Sequence, residues 1–458
     1  MTMLEDKDTI CAISTPAGVG GIAVIRVSGP DAVAVADRLW RGKPLSSAAP
    51  RSVHYGTIVD GEGRVIDDCV AAVFRAPASF TGEDVVELSV HGSVYVQKET
   101  VNALIAAGAR LAERGEFTRR AFAAGKMDLA QAEGVADLIA SRSRAAHDIA
   151  VRQMKGGFSR RLASLHDSLL ELASLLELEL DFSEEDVEFA SRLKLLQQAQ
   201  ELRGEIERLA ASFRSGNAIK EGIPVAIVGP TNVGKSSLLN ALAGDDLAIV
   251  SDIHGTTRDL IEDTVNIGDY TFRFIDTAGL RDTTDTIEKL GIDRSRRAIS
   301  RATILLRVID ATAPQSIDIA DEIADGQHLL TVINKTDAAT SAAARDLLAK
   351  ETTPGQIIEV SAKTQAGIDN LREALTDTAA TLIGDIGDII VTNARHHQAL
   401  TDALPPLHRV INGLETNLSG DFIAQDLREV LHHLGTITGT VTTTEILTSI
   451  FTRFCIGK

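Results

Sequence analysis

The chain has 458 residues, 44% of them hydrophobic, and a formal net charge of −18 from 64 acidic against 46 basic residues. That length sets a prior of about three domains, and the acidic balance argues against tight nonspecific nucleic-acid binding by the whole surface, though not against a local basic patch. No run approaches about 18 consecutive apolar residues, the opening Met-Thr-Met-Leu-Glu-Asp-Lys-Asp is too acidic for a signal peptide, and Cys11, Cys69 and Cys455 make neither a disulfide framework nor a metal pair. A cytoplasmic protein without membrane spans is expected.

Taken in order, residues 1–122 alternate β-rich runs with glycine: Gly21 to Gly29, Cys69 to Phe74, Asp84 to Val90. They read as a compact α+β block. From about Asp128 the period becomes helical, and Phe158, Leu162, Leu165, Leu169, Leu172 and Leu176 mark one stripe of a long helix. Within this stretch Arg142, Arg144, Arg152, Lys155, Arg160 and Arg161 are opposed only by Asp148, a candidate RNA contact, although a charge run is ordinarily a solvated face. Helical pattern continues through 192–213. Strands then alternate with helices from 219 to 383, residues 384–388 read as a linker, and helical pattern returns from Asn393. The expected boundaries are 1–122, 123–218, 219–383 and 384–458. Domain termini tend to lie close together, so the third segment reads as a domain inserted into one helical bundle.

The third segment carries the chemistry. Gly229-Pro230-Thr231-Asn232-Val233-Gly234-Lys235-Ser236 is a complete phosphate-binding loop between the apolar run Val225 to Val228 and a helical run beginning at Ser237. Its backbone N–H groups and the helix N-terminus favour phosphate. Lys235 would reach the β- and γ-phosphates, and the Ser236 hydroxyl would ligate Mg²⁺. Asp276-Thr277-Ala278-Gly279 follows an alternating strand, where a carboxylate can hold Mg²⁺ through water and Gly279 can offer its N–H to a γ-phosphate. Asn334-Lys335-Thr336-Asp337 closes another strand, with Asp337 placed to accept from the two N–H donors of guanine that adenine lacks. Ser361-Ala362-Lys363 would add backbone contact to the guanine oxygen. Four such segments in this order, each after a strand, specify a GTP site.

Ser251-Asp252-Ile253-His254-Gly255-Thr256-Thr257 lies between the first two segments and resembles the first switch loop of translation-factor-type GTPases, which assigns a Mg²⁺-ligand role to Thr257. After Gly279 stands Leu280, where Ras-like enzymes carry a water-orienting glutamine. A leucine cannot orient a nucleophile, so Asn232 and Glu288 become candidates, and either arginine or a monovalent cation must supply charge near the β–γ bridge.

These motifs, with Arg26 in Ile-Arg-Val-Ser-Gly, the run from Phe80 to Glu87, His91-Gly92, Gly115-Glu-Phe-Thr-Arg119, the run from Lys126 to Glu133 and the terminal Phe454-Cys455-Ile456-Gly457-Lys458, resemble the MnmE (TrmE) family over essentially the full length. The resemblance implies an N-terminal α+β folate-binding-like domain that forms a homodimer, a central helical bundle, and an inserted P-loop GTPase domain with a mostly parallel sheet. It implies a GTP-hydrolysing enzyme that modifies the wobble uridine of certain tRNAs with a FAD-containing partner using NADH. The one-carbon unit would come from a tetrahydrofolate, as 5-formyl- or 5,10-methylene-tetrahydrofolate. By motif, Arg26, Glu87, Lys126 and Lys458 would be folate ligands, Asn232, Ser251, Ile253 and Thr256 K⁺ ligands, and Ser236 and Thr257 Mg²⁺ ligands. Glu288 matches the catalytic glutamate. Val233, in place of a smaller residue, is expected to point away from the phosphates.

At the tail, Ile446, Leu447, Ile450, Phe451 and Phe454 continue an apolar stripe expected to dock Cys455 near the folate. There Cys455 is either a catalytic thiolate or a small buried hydrophobe. The alternative function is a regulatory GTPase of ribosome assembly, which would ordinarily bring a KH domain or a second GTPase domain. This chain has a single phosphate loop and no evident KH pattern.

Overall fold

A computed structural model describes residues 8–181, 192–244, 263–275, 296–315, 319, 322–324, 326–350, 355–383, 389–416, 418–452, 454 and 457. The chain divides into two compact units, one of Met1–Ala136, Gln153–Ser168 and Leu431–Lys458, the other of Asp137–Arg152 and Leu169–Val430.

The first unit is built on a seven-stranded sheet. In chain order its strands are β1 (Ile10–Ile13), β2 (Gly20–Ser28), β3 (Trp40–Arg41), β4 (Ser52–Val59), β5 (Val65–Phe74), β6 (Val85–Gly92) and β7 (Arg110–Leu111). They lie in the order β3-β4-β5-β6-β2-β1-β7, antiparallel except for β1 with β7. Period-two patterning decides the faces. Ala23, Ile25 and Val27 of β2 are buried under helices α1 (Ala32–Leu39) and α2 (Val94–Ala106), while the intervening Val24 and Arg26 face the other way. On that other side Ile10, Ala12 and Ala112 pack with Phe117 of helix α3 (Glu116–Ala123).

The C-terminal stripe docks on this unit. Thr443 caps the helix Thr444–Phe451 by accepting from Ile446 N. Ile450, Phe451 and Phe454 then bury against Leu129 and Ala132. Gly115 has φ +66°, and a side chain there would meet the Phe451 carbonyl, so the entry to α3 is shaped around the tail. Beyond Phe454, Gly457 sits against Ile13 and Ser14, its carbonyl accepting from Ser14 Oγ at 3.1 Å.

The second unit holds a six-stranded sheet of β8 (Ile223–Val228), β9 (Asp263–Ile267), β10 (Tyr270–Phe274), β11 (Ile304–Asp310), β12 (His328–Asn334) and β13 (Gln356–Glu359), ordered β13-β12-β11-β8-β10-β9. Only β9 runs antiparallel, as expected for a mostly parallel sheet. Parallel strands covered on both faces should be nearly continuous apolar runs, and every residue of β11 is buried. Its Ile304, Leu306 and Val308 join one cluster and Leu305 and Ile309 two others. The helix Arg192–Ala211 packs against Ala394–Glu415, so helical segments from before and after the sheet meet. Phe213 stacks on His397 at 4.5 Å. Leu162, Leu165, Leu169, Leu172 and Leu176 of the Gly157–Asp181 helix are all buried. Among the described residues, no helix is long and apolar enough to cross a membrane.

Candidate nucleotide-binding site

The phosphate loop leaves the buried end of β8 and enters the helix Lys235–Ala243 through Gly234, whose left-handed φ of +94° suits glycine. A Cβ there would also collide with Asn334 Nδ2. The first turn of this helix carries no acid, leaving its partial positive charge available to an anion. Lys235 Nζ donates to the carbonyls of Gly229 and Pro230, both at 2.7 Å, and burial lowers its pKa. Its ammonium is therefore held inside the loop. Val233 buries its side chain in the core, with one methyl beside Gly229. Ser236 lies half-buried in the first turn and Ser237 is exposed.

The base-reading candidates meet this loop directly. Asn334, at the end of β12, donates through Nδ2 to Val233 O at 2.9 Å and accepts at Oδ1 from Ala362 N at 3.1 Å. Lys335 donates through Nζ to Asn232 O at 2.7 Å. Thr336 Oγ1 donates to Val360 O at 3.0 Å. Asp337 is exposed and accepts from the buried Ser361 hydroxyl at 2.7 Å, a bond that, with the nearby Lys363 charge, holds its carboxyl below the usual range. Residues 232–235, 334–337 and 361–362 thus form one bonded assembly from three segments.

A fourth contributor escaped sequence reasoning. Asp310, ending β11, accepts from Lys335 Nζ at 2.6 Å. The available signal was positional: an acid closing an apolar strand of a parallel sheet, beside a strand that ends in Asn334. Ser251, Asp252, Ile253, His254, Gly255, Thr256, Thr257, Asp276, Thr277, Ala278, Gly279, Leu280, Glu288, Cys455 and Lys458 lie outside the described residues.

In the first unit, Arg26 and Glu87 are cross-strand neighbours in the β2–β6 register, with Arg26 Nε and Nη2 at 2.9 and 2.8 Å from Glu87 Oε1. The guanidinium lies over the rings of Phe80 and Phe117 at 5.2 and 5.5 Å. Cation–π contact and a carboxylate partner fix it in a half-apolar setting. Lys126 instead donates to Pro77 O at 2.7 Å. Cys11 and Cys69 are buried, and burial pushes their thiols up to about 11 and about 12, the behaviour of structural cysteines. Of the basic run, Arg142, Arg144, Arg152, Lys155 and Arg160 are exposed.

A parallel sheet with a phosphate loop after β8 and an Asn-Lys-x-Asp loop after β12 defines a P-loop GTPase. The family model "MnmE helical domain" matches residues 129–455, and "GTP-binding protein TrmE N-terminus" matches 9–126. The tRNA modification GTPase MnmE of Parabacteroides distasonis is 52% identical, with 98% of this chain and 100% of that one covered. The proteins of the same name from Bacteroides fragilis and Porphyromonas gingivalis are each 49% identical over 99% of this chain, with 100% and 98% of their own lengths covered. The chain belongs to the MnmE family.

Proposed function

We propose that this protein hydrolyses GTP in the course of tRNA modification. With a FAD-containing, NADH-using partner it would add an aminomethyl or carboxymethylaminomethyl group to C5 of the wobble uridine of certain tRNAs. The carrying observation is that Asn334 and Lys335 bond consecutive carbonyls of the phosphate loop, so the base reader and the phosphate binder share one frame. In this reading Lys235 neutralises the β- and γ-phosphates, and the N-terminus of the helix Lys235–Ala243 orients them. Asp337 accepts from the guanine edge. Glu288 orients the attacking water, since Leu280 cannot. Ser236 and Thr257 would hold Mg²⁺, and Asn232, Ser251, Ile253 and Thr256 would hold K⁺. These cations supply charge compensation on the bridging oxygen when bound. Replacing K⁺ by Na⁺ is then expected to slow hydrolysis sharply.

The folate reading rests on Arg26, Glu87, Lys126 and Lys458. A guanidinium fixed between a carboxylate and two aromatic rings suits a pterin and its glutamyl tail. Docking of Gly457 beside β1, whose Ala12 is the register neighbour of Arg26, supports carrying the terminal residues to the same end of the sheet. Cys455 is proposed there as a nucleophile, with burial as its alternative role. Homodimerisation through the N-terminal domain, insertion of 219–383 into one helical bundle and a cytoplasmic location belong to the same proposal.

The test is to incubate the full chain with its FAD-containing partner, NADH, GTP, 5,10-methylene-tetrahydrofolate and unmodified tRNA, and to analyse the nucleosides by mass spectrometry. A C5-modified uridine that requires both GTP and the folate is expected. GTP turnover with no modified uridine would sink the reading and favour the ribosome-assembly alternative.

A further inference from the structure

Asp310 is 8% exposed and closes a strand whose every residue is buried. Both its carboxylate oxygens are committed. Oδ1 accepts from Thr312 N at 2.8 Å and Thr312 Oγ1 at 2.6 Å, and Oδ2 accepts from Lys335 Nζ at 2.6 Å. The backbone repeats the stitch, with Ala311 N donating to Asn334 O at 2.9 Å. Burial acts to raise the carboxyl's pKa, but the ammonium of Lys335 and the two donors of Thr312 outweigh it and leave it lowered.

Lys335 and Asn232 share a second feature. They are non-glycine residues in the left-handed region, with φ +65° and φ +63°. Side chains resist that conformation, so it persists where the surroundings hold it. The Lys335 ammonium bridges Asn232 O and Asp310, tying the two left-handed residues to each other and to β11. The ammonium could swing to solvent on its flexible stem. A buried carboxylate fixed by two further donors keeps it against the phosphate loop.

We propose that Asp310 is a positioning residue that sets guanine-nucleotide affinity by clamping Lys335 onto the Asn232 carbonyl. The proposal rests on the reading of the 229–236 and 334–337 loops as the nucleotide site. It differs from a local role in the 310–312 turn, because that turn would be indifferent to Lys335. Asp310→Asn separates the two: an amide oxygen can still accept from Thr312, while the charge facing Lys335 is lost.

The experiment is a double-mutant cycle on the full chain with mant-GDP as probe. Asp310→Asn and Lys335→Met should each weaken binding about tenfold or more, the scale of one charge-assisted hydrogen bond. In the Lys335→Met background, adding Asp310→Asn should change affinity by less than about twofold. Turnover should show the loss in KM for GTP, with kcat nearly kept. Wild-type affinity in Asp310→Asn, or an equal further loss without Lys335, overturns the clamp while leaving the nucleotide site standing. Wild-type affinity in Lys335→Met overturns the underlying reading as well. Should Asp310→Asn melt below the assay temperature, Thr312→Val replaces it. That variant removes one aiming donor and should give a smaller loss, again present only with Lys335, and its absence counts against the clamp.

Discussion

The phosphate loop and the Arg26–Glu87 pair are built in opposite ways. The first is a contiguous stretch whose function lies in its own backbone: Asn232 and Gly234 adopt left-handed conformations and Lys235 folds back on Gly229 and Pro230. The second joins residues 61 positions apart, and only the β2–β6 register makes them neighbours. A site written in one loop can be recognised by spacing and residue type. A site written in strand register cannot, because a one-residue slip would turn Arg26 to the opposite face.

The contrast is broken most forcefully at Lys235. If the contiguous loop is the phosphate binder, Lys235→Ala should lower kcat/KM for GTP by about 10³-fold, as expected for losing a preorganised charge. A steady-state GTPase assay decides it. Melting should be little changed, since the side chain bonds only carbonyls of its own loop.

Next in size is Asp337→Asn. The carboxylate is exposed and held by Ser361, free to accept two bonds from guanine. The amide accepts one and presents a donor to a donor, so GTP affinity should fall by about 10²-fold or more while xanthosine triphosphate gains. Competition binding with the two nucleotides reads this out.

The register-built region should respond through stability. Glu116 on α3 is fully buried and accepts from Arg110 Nη2 at 2.6 Å, Arg120 Nη2 at 3.0 Å and Glu113 N at 2.7 Å. Burial pushes its carboxyl up, but the bonds from Arg110, Glu113 and Arg120 outweigh this and hold it below the usual range. Its stabilisation is therefore present above about pH 4.3, the ordinary value, and lost as pH falls through the lower folded value. Glu116→Gln should cost about 3 kcal/mol, because Arg120 keeps a buried charge with one partner weakened. Its melting temperature should also fall less steeply below about pH 4 than that of the unaltered protein. Calorimetric melts across pH 2–7 check both, and Lys235-dependent chemistry at neutral pH should survive.

Legibility followed the same division. The strands ending at Val228 and Asn334, the helix after Lys235 and the buried side chain of Val233 could be read from local pattern, because each depends on neighbours in sequence. The docking of Phe451 and Phe454 was readable from helical spacing, though not its target at Gly115. Asp310 was missed because its meaning comes from Lys335, 25 positions away and just past the end of the neighbouring strand. The aromatic bed of Arg26 was missed for the same reason, Phe80 and Phe117 arriving from a loop and a helix.

The central claim is that these are two separate sites, one for guanine nucleotide and one for a reduced folate. Isothermal titration of GDP and of 5-formyl-tetrahydrofolate into the unaltered chain, Asp337→Asn and Glu87→Gln tests it directly. Glu87→Gln should lose about tenfold in folate affinity through the freed Arg26 and keep GDP binding, while Asp337→Asn should do the reverse. Unchanged folate binding in Glu87→Gln, or a loss of both ligands in either variant, would contradict the account.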